Sequence, residues 1–184
     1  MPSHFTPVLN TIYRISLAAS PAKALTINTQ GEPRAYLSDY VGSPNQQFTI
    51  MTEKKKFAFI NQATNCALCV FMNSNDDCAK MFTDGGKHTS SWFEVERCGK
   101  GQFSHKGYLL KTHAKNKVVD VEGGQIQNNG TNIIQYQTNN GQNQVWLIVN
   151  KDESPPNDSS YGGFNFNIPN MGQAMQGWGG GGWK

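Results

Sequence analysis

The stretch "GTNIIQYQTNNGQNQVW", Gly130 to Trp146, decides how the chain is read. Apolar and polar residues alternate toward Tyr136, the two-residue period of a half-buried strand. Asn139-Asn140-Gly141 then supplies turn chemistry, and Val145-Trp146 restarts a strand. Three amides, Asn139, Asn140 and Asn143, crowd that turn beside one tyrosine. An amide offers a donor and an acceptor without charge. Such groups suit a neutral, polar ligand.

Working outward, the pattern repeats. Block one is Tyr13–Ile50, block two Phe57–Val95 and block three Gly107–Val149. Each holds four strand-like pieces: YRIS, ALTI, RAYLS and QFTI; FAFI, ALCVF, AKMF and WFEV; YLLK, KVVDV, NIIQYQ and VWLIV. Phe48, Trp92 and Trp146 are expected to close the blocks, with an insert around Gly99–Lys106 widening the last spacing. No stretch shows sustained helical apolar spacing. Twelve short strands in three similar units predict an all-β, closed architecture with pseudo-threefold symmetry. Three four-stranded propeller blades would be fewer than propellers use.

Here a resemblance appears. "KVVDVEGG…NGTNIIQYQTNNGQNQVW" resembles the ricin-B-type lectin repeat, marked by Gln-x-Trp near the end of each unit. Gln144-Val145-Trp146 matches fully, Gln46-Gln47-Phe48 matches with Phe for Trp, and Ser90-Ser91-Trp92 keeps only the Trp. The resemblance spans about residues 8–150. It implies a β-trefoil, six strands forming a barrel and six forming hairpins that cap it. The expected domains are a trefoil over 1–150, with repeats at about 13–50, 57–95 and 107–149, and a tail over 151–184. That tail is rich in Gly, Asn, Pro and Ser with scattered aromatics, a composition unable to bury enough to fold alone. It is expected to be flexible, or ordered by a partner.

The same resemblance implies a carbohydrate site. Such a site needs a flat ring for the apolar face of a sugar, and a carboxylate and amides for its hydroxyls. In this family the carboxylate lies on the second strand of a repeat, the aromatic platform on the third, and an Asn just before Gln-x-Trp. In block three these are Asp120, Tyr136 and Asn143, with Gly123-Gly124 letting the backbone turn close to a ligand. Block one has Thr26, Ser38 and Asn45 in these places. Block two has Cys69, Phe82 and Thr89. One site per chain is therefore expected, on the third repeat, with galactose or GalNAc the family-typical ligand. Family sites often carry a Gln two residues before the platform; Ile134 stands there. Gln144 and Trp146 are read as fold residues near the site. Asp120 could instead brace the glycine turn, Tyr136 could be an ordinary strand aromatic, and the Asn-Asn-Gly could be turn formers only.

Composition limits the other classes. Charged residues are 16% of 184, and net charge is +3. That is too little clustered charge for a nucleic-acid surface. The one basic run, Lys54-Lys55-Lys56, reads as a hairpin tip. Cys66 and Cys69 form a CxxC on a strand, where residues three apart face opposite ways. With Cys78 and Cys98 they read as thiols rather than a metal site. His4, His88, His105 and His113 make no metal spacing. No cofactor and no catalytic activity are expected. MPSHFTPVLN lacks a basic-then-apolar leader pattern, so the expected location is cytoplasmic, with leaderless secretion the alternative. No segment has the ~20 apolar residues of a membrane span. The leading expectation is a lectin that crosslinks glycans as a homo-oligomer in adhesion or defence. The other is a protein- or membrane-docking scaffold with a vestigial sugar site and an interacting tail.

Overall fold

The architecture comes from a computed structural model, which describes residues 5–85 and 88–154. Twelve strands follow the expected order: β1 Tyr13–Leu17, β2 Ser20–Ile27, β3 Ala35–Asp39, β4 Phe48–Glu53, β5 Lys56–Asn61, β6 Ala67–Val70, β7 Met81–Asp84, β8 Glu94–Arg97, β9 Tyr108–Lys111, β10 Lys117–Val121, β11 Ile133–Gln137 and β12 Trp146–Asn150. Every pairing is antiparallel. Strands β1, β4, β5, β8, β9 and β12 close a ring: β1 pairs β12 and β4, β4 pairs β5, a Phe57–Phe93 bridge joins β5 to the start of β8, β8 pairs β9, and β9 pairs β12. Hairpins β2–β3, β6–β7 and β10–β11 cap it. Single bridges tie the caps in a cycle: Arg34 to Phe82, Lys80 to Ile134, and Asn132 to Tyr36. This is the β-trefoil, and closure removes the open sheet edges that invite aggregation.

The threefold relation reaches individual side chains. Tyr13 faces Phe48, Phe57 faces Phe93, and Tyr108 faces Trp146. Phe48, Phe93 and Trp146 are fully buried, each stabilising by about 2–3 kcal/mol relative to an exposed ring. Trp146 also donates its indole N–H to Val119 O at 3.0 Å, so no donor is stranded. Phe5 sits among the three opening rings, with centroids 5.9 Å from Tyr13, 5.8 Å from Phe57 and 5.7 Å from Tyr108.

One expectation needs correction. The closing aromatic of the second repeat is Phe93, not Trp92, because Phe93 takes the buried bridging position. The two rings are adjacent in sequence, and the strand pleat buries the second. The unit therefore reads Ser91-Trp92-Phe93 where the others read Gln46-Gln47-Phe48 and Gln144-Val145-Trp146.

Lys54 and Lys55 occupy the left-handed turn between β4 and β5, the expected hairpin tip. Lys151–Ser154 stay attached to the barrel: Lys151 N–H donates to Ile12 O at 3.0 Å and Arg14 Nη2 to Glu153 O at 3.0 Å. The rest of the expected tail lies outside the described residues.

Candidate functional site

Strand β10 is buried along its whole length because it lies between its hairpin partner β11 and the barrel. Asp120 is therefore only 2% exposed. A carboxylate there needs partners, and the chain segment before β12 supplies two. Asn143 Nδ2 donates to Oδ1 at 2.9 Å, and Gln144 Nε2 donates to Oδ2 at 2.7 Å. Burial nonetheless outweighs these two bonds and pushes the Asp120 carboxyl up to about 6. Each carboxylate oxygen still has a lone-pair direction free for a hydroxyl.

The two amides are themselves fixed. Asn143 Nδ2 also reaches Val121 O at 3.3 Å, and Val121 N–H returns a bond to Asn143 O at 2.9 Å. Its Nδ2 is thus committed, leaving Oδ1 as the acceptor to offer a ligand. Gln144 Nε2 also donates to Gln137 O at 2.8 Å, while its Oε1 accepts Asn139 N–H at 2.8 Å. Flipping this amide would break both backbone bonds. Tyr136 lies opposite Val118 on the neighbouring strand and is 39% exposed. After β10 the chain turns through Glu122–Gly124, with Gly123 at φ 63°, the left-handed conformation that favours glycine. Asp120, Gly123, Tyr136 and Asn143 thus stand on one hairpin and the turn against it.

Gly141 belongs to the site as well, which its role as a turn former concealed. A Cβ there would lie 2.7 Å from Asn139 Oδ1 and 2.8 Å from Asn143 Oδ1. Asn139 Oδ1 meanwhile accepts the Gly141 N–H at 2.7 Å. The missing side chain is what lets both amides sit where they do.

The first repeat repeats this scaffold without the carboxylate. Gln46 Nε2 donates to Thr26 Oγ1 at 3.1 Å and Asp39 O at 2.8 Å, and its Oε1 accepts Val41 N–H at 2.8 Å. Asn45 Nδ2 donates to Ile27 O at 3.0 Å. Thr26 and Ser38, which also bond each other at 2.7 Å, replace Asp120 and Tyr136. In the second repeat Cys69 takes the Asp120 place, and its thiol is pushed up to about 11, chiefly by burial. Counting back from Trp92 misplaced the other two roles. Ser90, not Thr89, takes the Asn143 place, with its Oγ donating to Val70 O at 3.2 Å. Phe82 pairs with Cys69 as Ile134 pairs with Asp120, so the register puts Asp84 at the platform. Among the described residues, only the third repeat combines carboxylate, ring and amide in this arrangement.

Among the described residues no group of His, Cys, Asp and Glu is arranged to hold a metal ion, and no helix is long and apolar enough to cross a membrane.

Residues 90–182, about half of the chain, match the family described as ricin-type beta-trefoil lectin domain-like. Solved structures share the fold. A designed threefold symmetric protein, ThreeFoil, aligns with a TM-score of 0.67 at 24% identity, covering 76% of this chain and 98% of that one. The ricin B-like lectin of Macrolepiota procera, solved in complex with lactose, aligns with a TM-score of 0.67 at 15% identity, over 79% and 99%. The Rhizoctonia solani agglutinin aligns with a TM-score of 0.63 at 14% identity, over 79% and 99%. No curated protein matches the chain by sequence.

Proposed function

The chain belongs to the ricin-type β-trefoil lectin domain-like family, a carbohydrate-binding class, and on that premise we propose that it binds galactose- or GalNAc-type glycans through one site on its third repeat. The observation that carries this is the Asp120 carboxylate, held by Asn143 and Gln144 on the same hairpin as the exposed Tyr136 ring. Adjacent hydroxyls of the sugar would donate to Asp120 and to Asn143 Oδ1, while its apolar face covers Tyr136. The lactose-bound relative, whose disaccharide ends in galactose, supports the choice of sugar class.

The role is binding rather than catalysis. One such contact is weak, and affinity gained by presenting several together would let an oligomer crosslink glycans in adhesion or defence. A glycan array with wild type and the Asp120→Ala, Tyr136→Ala double variant tests the reading. Binding to galactosides that the double variant loses is expected. Silence of the wild type across the array, or equal binding by the variant, would overturn it.

A further inference from the structure

A break in the threefold symmetry lies beside the candidate site of the third repeat. Strands β4 and β5 are joined by two residues, Lys54 and Lys55, whereas β8 and β9, paired in register from Arg97–Tyr108, are joined by the long insert from Cys98 to Gly107. This insert is tied down. Cys98 N–H donates to Gly107 O at 2.9 Å, His105 N–H to Cys98 O at 2.7 Å, and Ser104 N–H to Gly101 O at 3.1 Å. Phe103 packs on the cluster of Cys98, Leu109, Val118 and Val145, and Val118 is the residue facing Tyr136.

The insert also presses on the turn of the sugar site. Gly101 has φ 76°, and a Cβ there would stand 2.9 Å from Asn140 O. One flank of the insert, Gly99 and Lys100, walls a cleft of about 470 Å³ whose lining includes Glu94, Glu96, Asn116, Thr138 and Asn140. Thr138 follows Tyr136 by two residues and stays hydrogen-bonded across the hairpin, its N–H donating to Asn116 O at 2.9 Å. The cleft therefore begins about 7 Å from the platform along the strand.

We propose that the insert builds a second subsite, which holds the saccharide unit next to the one bound at Asp120 and Tyr136. The proposal rests on the sugar-binding reading of the third repeat. The lining suits a hydroxyl-rich, uncharged ligand. Glu94 and Glu96 accept from hydroxyls, while Lys100, Asn116, Thr138 and Asn140 can donate to them. The lining carries Lys100, Lys111, Lys115 and Lys117 against Glu94 and Glu96. Lys111 pairs with Glu96 and Lys117 with Asp77, so Lys100 and Lys115 stand against Glu94, and the cleft holds too little unpaired positive charge to select a polyanion. The protein is then a reader of oligosaccharides rather than of a terminal sugar alone.

Calorimetry on the full chain tests this with two probes, methyl β-galactoside and the tetrasaccharide di-N-acetyllactosamine. The wild type is expected to prefer the tetrasaccharide by roughly tenfold or more, the yield of one or two added hydrogen bonds. The Lys100→Ala, Thr138→Ala double variant should lose that preference and keep its affinity for methyl β-galactoside. Gly101→Ala, which displaces the wall instead of trimming it, should lower the same ratio. Equal wild-type affinity for the two probes, or a ratio unchanged in both variants, overturns the second subsite alone. Binding of neither probe overturns the third-repeat site and its extension together.

Discussion

Acidification should switch sugar binding off well before it threatens the fold, and Asp120 is the reason. Its carboxyl is pushed up to about 6 because burial costs more than the bonds from Gln144 and Asn143 return. If the ionised form accepts the sugar hydroxyl, affinity falls with the ionised fraction. At pH 5 binding should be about tenfold weaker than at pH 7.5, and the midpoint should lie near 6. Stability moves the other way. In the unfolded chain an aspartate titrates near its ordinary value of about 3.9, so between about pH 4 and 6 the native state holds the extra proton. The contribution of this group to stability is fully present below about 4 and is lost as pH rises through about 6. Loss of binding between pH 7 and 5 therefore cannot be unfolding caused by this residue.

Asp120→Asn isolates the effect from the histidines. Either orientation of the new amide puts one N–H₂ against a donor, Asn143 Nδ2 or Gln144 Nε2. Gln144 cannot flip to help without abandoning Gln137 O and Asn139 N–H. Losing one hydrogen bond to a charged acceptor costs about 1.5–3 kcal/mol, or roughly 10- to 100-fold in affinity. Calorimetric titration with lactose from pH 4.5 to 7.5 is the assay, on both proteins. A wild type whose affinity is flat across that range, or an Asp120→Asn protein that keeps wild-type affinity, would show that the Asp120 carboxylate does not hold the sugar.

Three further outcomes follow from particular contacts. Gly141→Ala should weaken lactose binding by about tenfold, equivalent to one disturbed hydrogen bond, because its Cβ displaces Asn139 and Asn143; thermal melting should shift much less than binding does. Gln46→Ala should destabilise by about 1–3 kcal/mol, since Gln46 is buried and its amide holds the Val41 N–H, the Asp39 O and the buried Thr26 Oγ1, yet leave sugar affinity intact; denaturant melts with parallel lactose titrations check both halves. Phe5→Ala should lower the melting temperature by about 4–8 °C, from loss of about 2 kcal/mol of aromatic packing against three rings, as differential scanning calorimetry would show.

The fold was legible because its signals are local and repeated. Short alternating strands, turn residues between them and a closing aromatic per unit all name the same trefoil. All twelve strand pieces found in the sequence became strands. The misreading at Trp92 shows where such reading stops. Two neighbouring aromatics are indistinguishable until the pleat decides which one enters the core, and that choice rests on the Phe57–Phe93 bridge, a contact distant in sequence. At the site, Asp120, Tyr136 and Asn143 were visible as types at family positions. The buttress was less so. Gln144 read as a fold residue near the site, yet it also makes the 2.7 Å bond that aims Asp120. Gly141 looked like a turn former, and only the space a side chain would occupy exposes its second role. The insert Gly99–Lys106 was visible only as extra length. Its packing against the Asn140 turn is tertiary, without a sequence pattern of its own.

Sugar binding by Asp120 and Tyr136 is the property on which the other outcomes depend. The most direct measurement is lactose titration followed by heteronuclear NMR at pH 7, using wild type and the Asp120→Ala, Tyr136→Ala double variant. Saturable shifts centred on the backbone amides of Asp120–Gly124, Tyr136 and Asn139–Gln144, absent in the variant, are expected. Shifts centred on the first or second repeat, or none up to millimolar lactose, would contradict it.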